Sequence, residues 1–188
     1  MILYLHGFRS SPRSIKAQQL AKRLEQRGLA AAWCCPQLPV SPRDAARTIA
    51  GIASRDDAQP LAIIGSSLGG YYATWIAEQV DCRVVLLNPA VRPDRDLARH
   101  LGMQTVYHSD ETVEIEPEFL AELKDLRVGA ITRPERYLLV AAAGDEVLDW
   151  REMMARYPDA RHLVIEGSDH GLSEFETIID DVIDFTRE

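Results

Sequence analysis

Two serines stand among three glycines in the stretch GSSLGG at residues 65–70, between an apolar run and a helical pattern. Its first five residues fit the pattern G-x-S-x-G, in which a serine on a sharp strand-to-helix turn acts as a nucleophile. Glycines at both ends suit such a turn, because larger side chains would collide across it. The register makes Ser67, and not Ser66, the candidate nucleophile. A pattern this short also occurs by chance, so its partners must be sought elsewhere in the chain.

A serine hydroxyl attacks a carbonyl carbon readily only when a base accepts its proton and an acid orients that base. In chains with this strand–turn–helix pattern, the acid and then the histidine follow the serine. Asp145 follows the apolar run 137–143, and His170 follows the run 162–165. Because parallel strands end at one edge of a sheet, Ser67, Asp145 and His170 are predicted to meet there. The chemistry that they indicate is acyl transfer through an acyl-enzyme.

Three further carboxylates near these positions leave the identity of the acid open: Glu146, Asp149 and Asp169. Asp145 is favoured because it directly follows Gly144 at the end of a strand, and the side chain of Glu146 should then point elsewhere. Asp149 precedes the segment WREMMARY, where it can cap the N-terminus of a helix. Asp169 adjoins His170, and neighbouring residues seldom bring a carboxylate to the far nitrogen of the ring.

The tetrahedral intermediate of acyl transfer carries a negative oxygen that needs hydrogen-bond donors. One backbone N–H comes from the residue after the nucleophile, here Leu68, and the other from a loop that follows an early strand. The first strand ends in LHGF, so the second donor is predicted to be the N–H of Phe8. His6 in the same loop is predicted to be structural. The remaining histidines fit a catalytic role less well: His100, His108 and His162.

Six short apolar runs predict the strands that position these residues. The runs are continuous rather than alternating, as expected for parallel strands covered on both faces. Helical patterns over 11–29, 71–81 and 173–188 lie between or after them. We therefore expect residues 1–188 to form a single α/β domain, with a mostly parallel sheet of about six strands, right-handed crossovers and helices on both faces. The six runs are 2–5, 31–35, 61–64, 84–87, 137–143 and 162–165.

The segment 89–135 breaks this alternation, since connections usually span only about 4–6 residues. Its middle, EPEFLAELKDL, predicts a short helix with Phe119, Leu120 and Leu123 as apolar contacts. A long insertion in an α/β chain is commonly a lid or a substrate-binding loop. The alternative is an additional packing element without a role in function.

Composition limits the classes of function. The 188 residues are 46% hydrophobic and 27% charged, which is typical of a soluble globular chain. The net charge of −8 gives no electrostatic footprint for nucleic acid. No apolar stretch approaches the about 20 residues of a membrane span. The opening MILYLHG lacks the basic leader of a signal peptide, so the sequence predicts a cytoplasmic protein.

The three cysteines, Cys34, Cys35 and Cys82, indicate neither a disulfide framework nor a zinc site. Their number is odd, two are adjacent, and no C-x-x-C pattern occurs. Buried free thiols are the expectation. No residue pattern indicates a metal or an organic cofactor, and the sequence leaves the oligomeric state open.

Six stretches of the sequence, one of them around Ser67, can be compared with known protein families. They are YLHGFRSSPRSIKA (4–17), PQLP (36–39), GSSLGGYYATW (65–75), NPAVRP (88–93), GDEVLDWRE (144–152) and EGSDHGLSEFE (166–176). Together they resemble the small YqiA-type bacterial esterases of the α/β-hydrolase superfamily. The resemblance covers nearly the whole chain and is weakest over 94–135.

The resemblance implies a minimal α/β hydrolase with Ser67, Asp145 and His170 as its catalytic triad. It implies esterase activity on short acyl esters and admits thioesterase activity toward acyl-CoA, so the partner is a small-molecule ester or thioester. No metal or cofactor is implied. One departure is Leu172, where an aromatic residue often follows the catalytic histidine. The alternative function is that of a non-catalytic binding protein with the same fold, against which the complete triad argues.

Overall fold

The centre of the computed structural model is a six-stranded sheet whose neighbouring strands all run parallel, in the order β2-β1-β3-β4-β7-β8. The structure describes residues 1–55, 57, 61–107 and 110–188. A separate antiparallel hairpin consists of β5 and β6. The strands are β1 (Ile2–Leu5), β2 (Trp33–Cys34), β3 (Ala62–Ser66), β4 (Arg83–Leu87), β5 (Gly102–Thr105), β6 (Thr112–Ile115), β7 (Tyr137–Ala142) and β8 (Arg161–Ile165).

Helices connect the parallel strands and cover the sheet. They are α1 (Ile15–Gln26), α2 (Pro42–Ala53), α3 (Leu68–Ala77), α4 (Pro93–Asp96), α5 (Glu118–Asp125), α6 (Trp150–Arg156) and α7 (Phe175–Phe185). Short 3-10 turns lie at Ala30–Ala32, Leu97–His100 and Pro134–Arg136. Within the described ranges, no helix is both long and apolar enough to cross a membrane.

The sheet has an apolar core on each face, because side chains of successive strand residues point to opposite faces. Leu3 and Leu5 of β1 pack with buried residues of α2, α3 and α6. Ile2 and Tyr4 pack on the other face with buried residues of α1 and α7. The predicted α/β fold, with a parallel sheet of six strands and helices on both faces, is confirmed.

Several boundaries differ from those expected from sequence. The run 31–35 contributes only the two residues of β2, since Ala30–Ala32 form a 3-10 turn. Helix α3 begins at Leu68 and ends at Ala77 rather than Asp81. Helix α2, which the sequence analysis did not single out, begins where the Ser41 hydroxyl accepts a hydrogen bond from the Asp44 N–H. Of the three cysteines, Cys82 is buried as expected, whereas Cys34 and Cys35 are only partly buried.

One part of the insertion 89–135 borders cavities and another part packs against the core. Its first part contains α4 and the hairpin β5–β6, which border the cavities described below. Its second part contains the predicted helix, α5, whose Leu123 is fully buried against the core. The hydroxyl of Tyr71 in α3 donates to the backbone oxygen of Leu123 over 2.6 Å. The hairpin itself was not predicted.

Candidate active site

Ser67 occupies the turn between β3 and α3 in a conformation that is rare for residues other than glycine. Its φ is 53° and its ψ is −121°. Three backbone hydrogen bonds fix it there: its N–H donates to Leu87, and its carbonyl accepts from Gly70 and Ala90, all within 3.0 Å. Such strain persists where surrounding structure over-determines it, and it clusters at functional sites.

The glycines around Ser67 are required by close backbone contacts. A Cβ on Gly65 would lie 2.4 Å from the carbonyl oxygen of Gly69, across the turn. A Cβ on Gly69 would lie 1.9 Å from the carbonyl oxygen of Leu5, and one on Gly70 would lie 2.6 Å from the Cβ of Pro89. Any larger residue would push α3 away from the strands, and Ser67 with it.

Ser67, His170 and Asp145 form a continuous chain of hydrogen bonds. His170 Nε2 lies 3.1 Å from Ser67 Oγ, and His170 Nδ1 lies 2.8 Å from Asp145 Oδ2. The Asp145 side chain is fully buried. Its Oδ1 accepts from the backbone N–H groups of Val147 and Leu148, each over 2.8 Å. These bonds orient the carboxylate so that Oδ2 faces the imidazole.

The three other carboxylates near this site have other partners. Glu146 accepts a hydrogen bond from the backbone N–H of His170 over 3.1 Å. Asp149 caps α6 as predicted, with its Oδ1 accepting from the Arg151 N–H over 2.9 Å. Asp169 accepts from the hydroxyl of Ser173, and this bond holds the pKa of Asp169 below its usual value. Asp145 is thus the carboxylate in contact with the His170 ring.

Phe8 and Leu68 both line the cavity that contains Ser67. Leu68 begins α3, so its N–H has no acceptor within the helix. Phe8 follows Gly7, where an added Cβ would lie 3.1 Å from the Cβ of Ser67. Within the part of the chain that the structure describes, neither N–H donates to another protein group. Two donors therefore remain for a developing negative charge.

His6 fixes the loop that carries Phe8, as expected for a structural histidine. Its Nε2 accepts from the Leu38 N–H over 3.0 Å, which leaves Nδ1 to donate to the carbonyl of Gly7. Burial lowers the pKa of His6. His100 packs on the Phe8 ring at a centroid distance of 5.7 Å. His162 contacts the backbone oxygen of Tyr157, and His108 lies outside the described residues.

Two residues that were not identified from the sequence hold residues 169–171, the His170 turn. Asn88 Nδ2 donates to the carbonyls of Asp169 and His170, each over 3.1 Å, while its Oδ1 accepts from the Ala142 N–H over 2.8 Å. Lys16 Nζ donates to the carbonyl of Gly171 over 2.7 Å. Burial lowers the pKa of Lys16 to about 8, although Asp169 and Asp145 oppose this shift.

Two cavities flank the loop formed by residues 7–10. The first has a volume of about 600 Å³ and contains Ser67 and His170. Its apolar wall includes Leu97 and Leu148. The second has a volume of about 490 Å³ and lies between this loop, the segment 37–40 and the hairpin. Phe8 and Leu68 border both cavities.

Comparison with known proteins shows the same fold elsewhere. The family described as "Uncharacterised protein family (UPF0227)" has a model that matches residues 1–187. The esterase domain of a Rhodothermus marinus protein is 20% identical with a TM-score of 0.71, covering 99% of this chain and 85% of that chain. Mouse alpha/beta hydrolase domain-containing protein 10 is 18% identical with a TM-score of 0.70, covering 97% and 89%. Est1E from Butyrivibrio proteoclasticus is 12% identical with a TM-score of 0.65, covering 100% and 88%. At these identities the likeness establishes the α/β-hydrolase fold.

Proposed function

This chain belongs to the UPF0227 family, and we propose that it is a serine esterase that hydrolyses acyl esters through an acyl-enzyme on Ser67. One observation carries the proposal. The hydrogen bonds from Ser67 Oγ to His170 Nε2 and from His170 Nδ1 to Asp145 Oδ2 join a nucleophile, a base and an orienting acid in one line. The resemblance to YqiA-type esterases supports the same roles for these residues.

In the first step His170 Nε2 accepts the Ser67 proton as Oγ attacks the carbonyl carbon of the ester. Asp145, buried and bonded to Nδ1, holds the ring in the tautomer that leaves Nε2 free to accept the proton. It also stabilises the imidazolium that forms. The tetrahedral intermediate then collapses, and His170 returns the proton to the leaving alcohol.

The oxyanion of the intermediate accepts hydrogen bonds from the N–H groups of Phe8 and Leu68. Both groups lie beside Ser67 without a protein acceptor in the described residues. The positive end of the α3 dipole adds to the field at Leu68. Removing one such donor typically costs about 3–4 kcal/mol at the transition state. Water then attacks the acyl-enzyme, again with His170 as base, and releases the carboxylic acid.

The substrate class follows from the cavity and from the resemblance. A cavity of about 600 Å³ beside Ser67, with an apolar wall, accommodates an acyl group of limited size. Short acyl esters are the proposed substrates, and acyl-CoA thioesters are a second class with the same acyl-transfer chemistry. None of these steps requires a metal or an organic cofactor.

The test is covalent labelling followed by hydrolysis. A fluorophosphonate probe should label the wild-type protein and Ser66→Ala, but it should not label Ser67→Ala. p-Nitrophenyl esters and acyl-CoAs of graded chain length then define the preferred acyl group and leaving group. Absence of labelling and hydrolysis in the folded wild-type protein would overturn the proposal in favour of a binding protein. Labelling of Ser67→Ala but not of Ser66→Ala would move the nucleophile by one residue.

A further inference from the structure

Arg9 lies one residue after Phe8 and holds an unusual backbone conformation. Its φ is 54°, in the left-handed region that residues with a Cβ rarely adopt. The segment around it is therefore not a relaxed loop, because other contacts must hold Arg9 in this conformation.

The contacts of Arg9 lead to the β5–β6 hairpin, which lies almost 100 residues further along the chain. Its carbonyl accepts a hydrogen bond from the Tyr107 N–H over 2.8 Å. Its Nη1 donates to Gln104 Oε1 over 2.6 Å. Its guanidinium carbon lies 4.4 Å from the centroid of the Tyr107 ring and 5.7 Å from that of Phe8. Backbone, side-chain and stacking contacts all join the same two segments.

Arg9 is also where the hairpin is fixed to the body of the protein. Residues 102–107 form two described hydrogen bonds with residues outside the hairpin, and Arg9 is the partner in both. Met103 and Tyr107 of the hairpin are 62% and 52% exposed, whereas Ile115 at the end of β6 is buried. The hairpin borders the second cavity through Val106 and Val113. A change in the hairpin would therefore reach the loop of Phe8 through Arg9.

We infer that Arg9 is a positioning residue that ties the hairpin of the insertion to the loop carrying the Phe8 N–H and so fixes this oxyanion donor. The inference rests on the proposed function. Arg9 itself does not touch the reacting atoms. Its contacts with Gln104 and Tyr107 hold residues 8 and 9 against the hairpin, and the N–H of Phe8 is displaced when the guanidinium contacts are lost. A displacement of about 1 Å at a catalytic group can cost about 100-fold in rate, so a smaller shift is expected to cost about 10-fold.

The positive φ of Arg9 allows a clean variant. Arg9→Gly removes the guanidinium and its contacts but keeps a residue that adopts this conformation without strain. Arg9→Ala would keep the Cβ, and with it the backbone strain, while removing the side-chain contacts that offset this strain. Arg151→Ala is the matched control, because Arg151 stacks on Trp150 at 4.9 Å but lies on α6, outside the oxyanion loop. Arg9→Lys retains one donor and the charge, so it should recover part of the loss.

The measurement pairs turnover with binding of a transition-state mimic. A trifluoromethyl ketone forms a tetrahedral adduct in which Ser67 Oγ bonds to the ketone carbon and the proton passes to His170. Its oxyanion needs the same two N–H donors as the intermediate. In Arg9→Gly, kcat for p-nitrophenyl acetate and affinity for the ketone should fall together by about 10-fold, with KM within about twofold. Arg151→Ala should retain both values.

Coupling to the hairpin is tested by a double variant. Gln104→Ala removes the acceptor of the Arg9 Nη1 bond, so it should lower kcat in the same direction as Arg9→Gly. The double variant should be no slower than Arg9→Gly alone, because both changes remove the same link. Additive losses would contradict this link.

The inference is overturned if folded Arg9→Gly keeps the kcat and ketone affinity of the wild type, even where its melting temperature is lower. That result would leave Arg9 with a structural role only. Failure of the proposed function is distinguishable, since the wild-type protein would then neither hydrolyse the ester nor bind the ketone, before any variant was made.

Discussion

The side-chain amide of Asn88 donates a hydrogen bond to the backbone oxygen of His170 over 3.1 Å. Asn88 is buried at the end of β4 and has a φ of 44°. The same side chain accepts from the N–H of Ala142, at the end of the neighbouring strand β7. The turn that carries the histidine is thus attached to the end of β7, after which Asp145 follows, and to the end of β4, where Leu87 accepts the N–H of Ser67.

Replacing Asn88 should therefore damage both stability and turnover. Asn88→Ala leaves the N–H of Ala142 and the carbonyls of Asp169 and His170 without their partner. We expect the free energy of unfolding to fall by about 2–4 kcal/mol. We expect kcat to fall by about 10-fold or more, because the His170 turn loses its attachment. Urea denaturation and hydrolysis of p-nitrophenyl acetate measure the two effects.

Asn88→Gly separates the effect of the lost hydrogen bonds from the effect of backbone strain on stability. Glycine adopts the positive φ freely, so this variant should be about 1 kcal/mol more stable than Asn88→Ala but equally slow. A kcat for Asn88→Gly equal to that of the wild type would show that the side chain does not position His170.

The parts of the site that sequence predicted depend on local patterns. The apolar runs locate the strands, and Ser67, Asp145 and His170 each directly follow one of them or stand close behind. Parallel topology then places these strand ends at one edge. The crowded glycines at 65–70 likewise reflect contacts within or next to one turn.

The parts that sequence did not predict depend on single residues with distant partners. Asn88 contacts the His170 turn 81 and 82 residues away, and Arg9 contacts Gln104 95 residues away. No periodicity marks such residues. The hairpin was missed for a related reason. Its strands of four residues carry few buried side chains, so they lack the continuous apolar runs of the sheet.

Asp145→Asn should reduce kcat by about 10⁴ with the fold retained. The amide oxygen can still accept from Val147 and Leu148, but the NH₂ group cannot accept from His170 Nδ1 and favours the wrong tautomer. Asp149→Ala is the control. It should lose about 1 kcal/mol of stability, because the N-terminal cap of α6 is removed, and it should keep most of its activity. Circular dichroism and ester hydrolysis report the two properties. An inactive Asp149→Ala beside an active Asp145→Asn would assign the acid to Asp149.

Leu97→Trp should shorten the range of acyl chains accepted without slowing hydrolysis of the smallest ester. Leu97 lies in the insertion and borders the cavity that contains Ser67. It forms no described hydrogen bond with Ser67, His170 or Asp145. A larger side chain there takes volume from the cavity. The kcat/KM for octanoate relative to acetate esters should fall by about 10-fold or more. An equal loss on acetate and octanoate would mean that this part of the insertion does not select the acyl group.

Lys16 should make the stability of the protein increase with pH in the alkaline range. Burial lowers its folded-state pKa to about 8, from an ordinary value of 10.5. Between these values the unfolded chain binds more protons than the folded protein, so the free energy of unfolding rises with pH. Lys16→Met removes the titrating group. The stability of the wild type relative to Lys16→Met should therefore increase by roughly 1–3 kcal/mol between pH 8 and pH 10.5.

Urea denaturation of both proteins across this range gives the comparison, since other titrating groups cancel between them. Lys22→Met is the matched control because Lys22 lies on the same helix with its side chain exposed. A difference between the wild type and Lys16→Met that stays constant with pH would show that the ammonium group of Lys16 is solvated in the folded protein. Its hydrogen bond to Gly171 would then be a surface contact with little hold on the His170 turn.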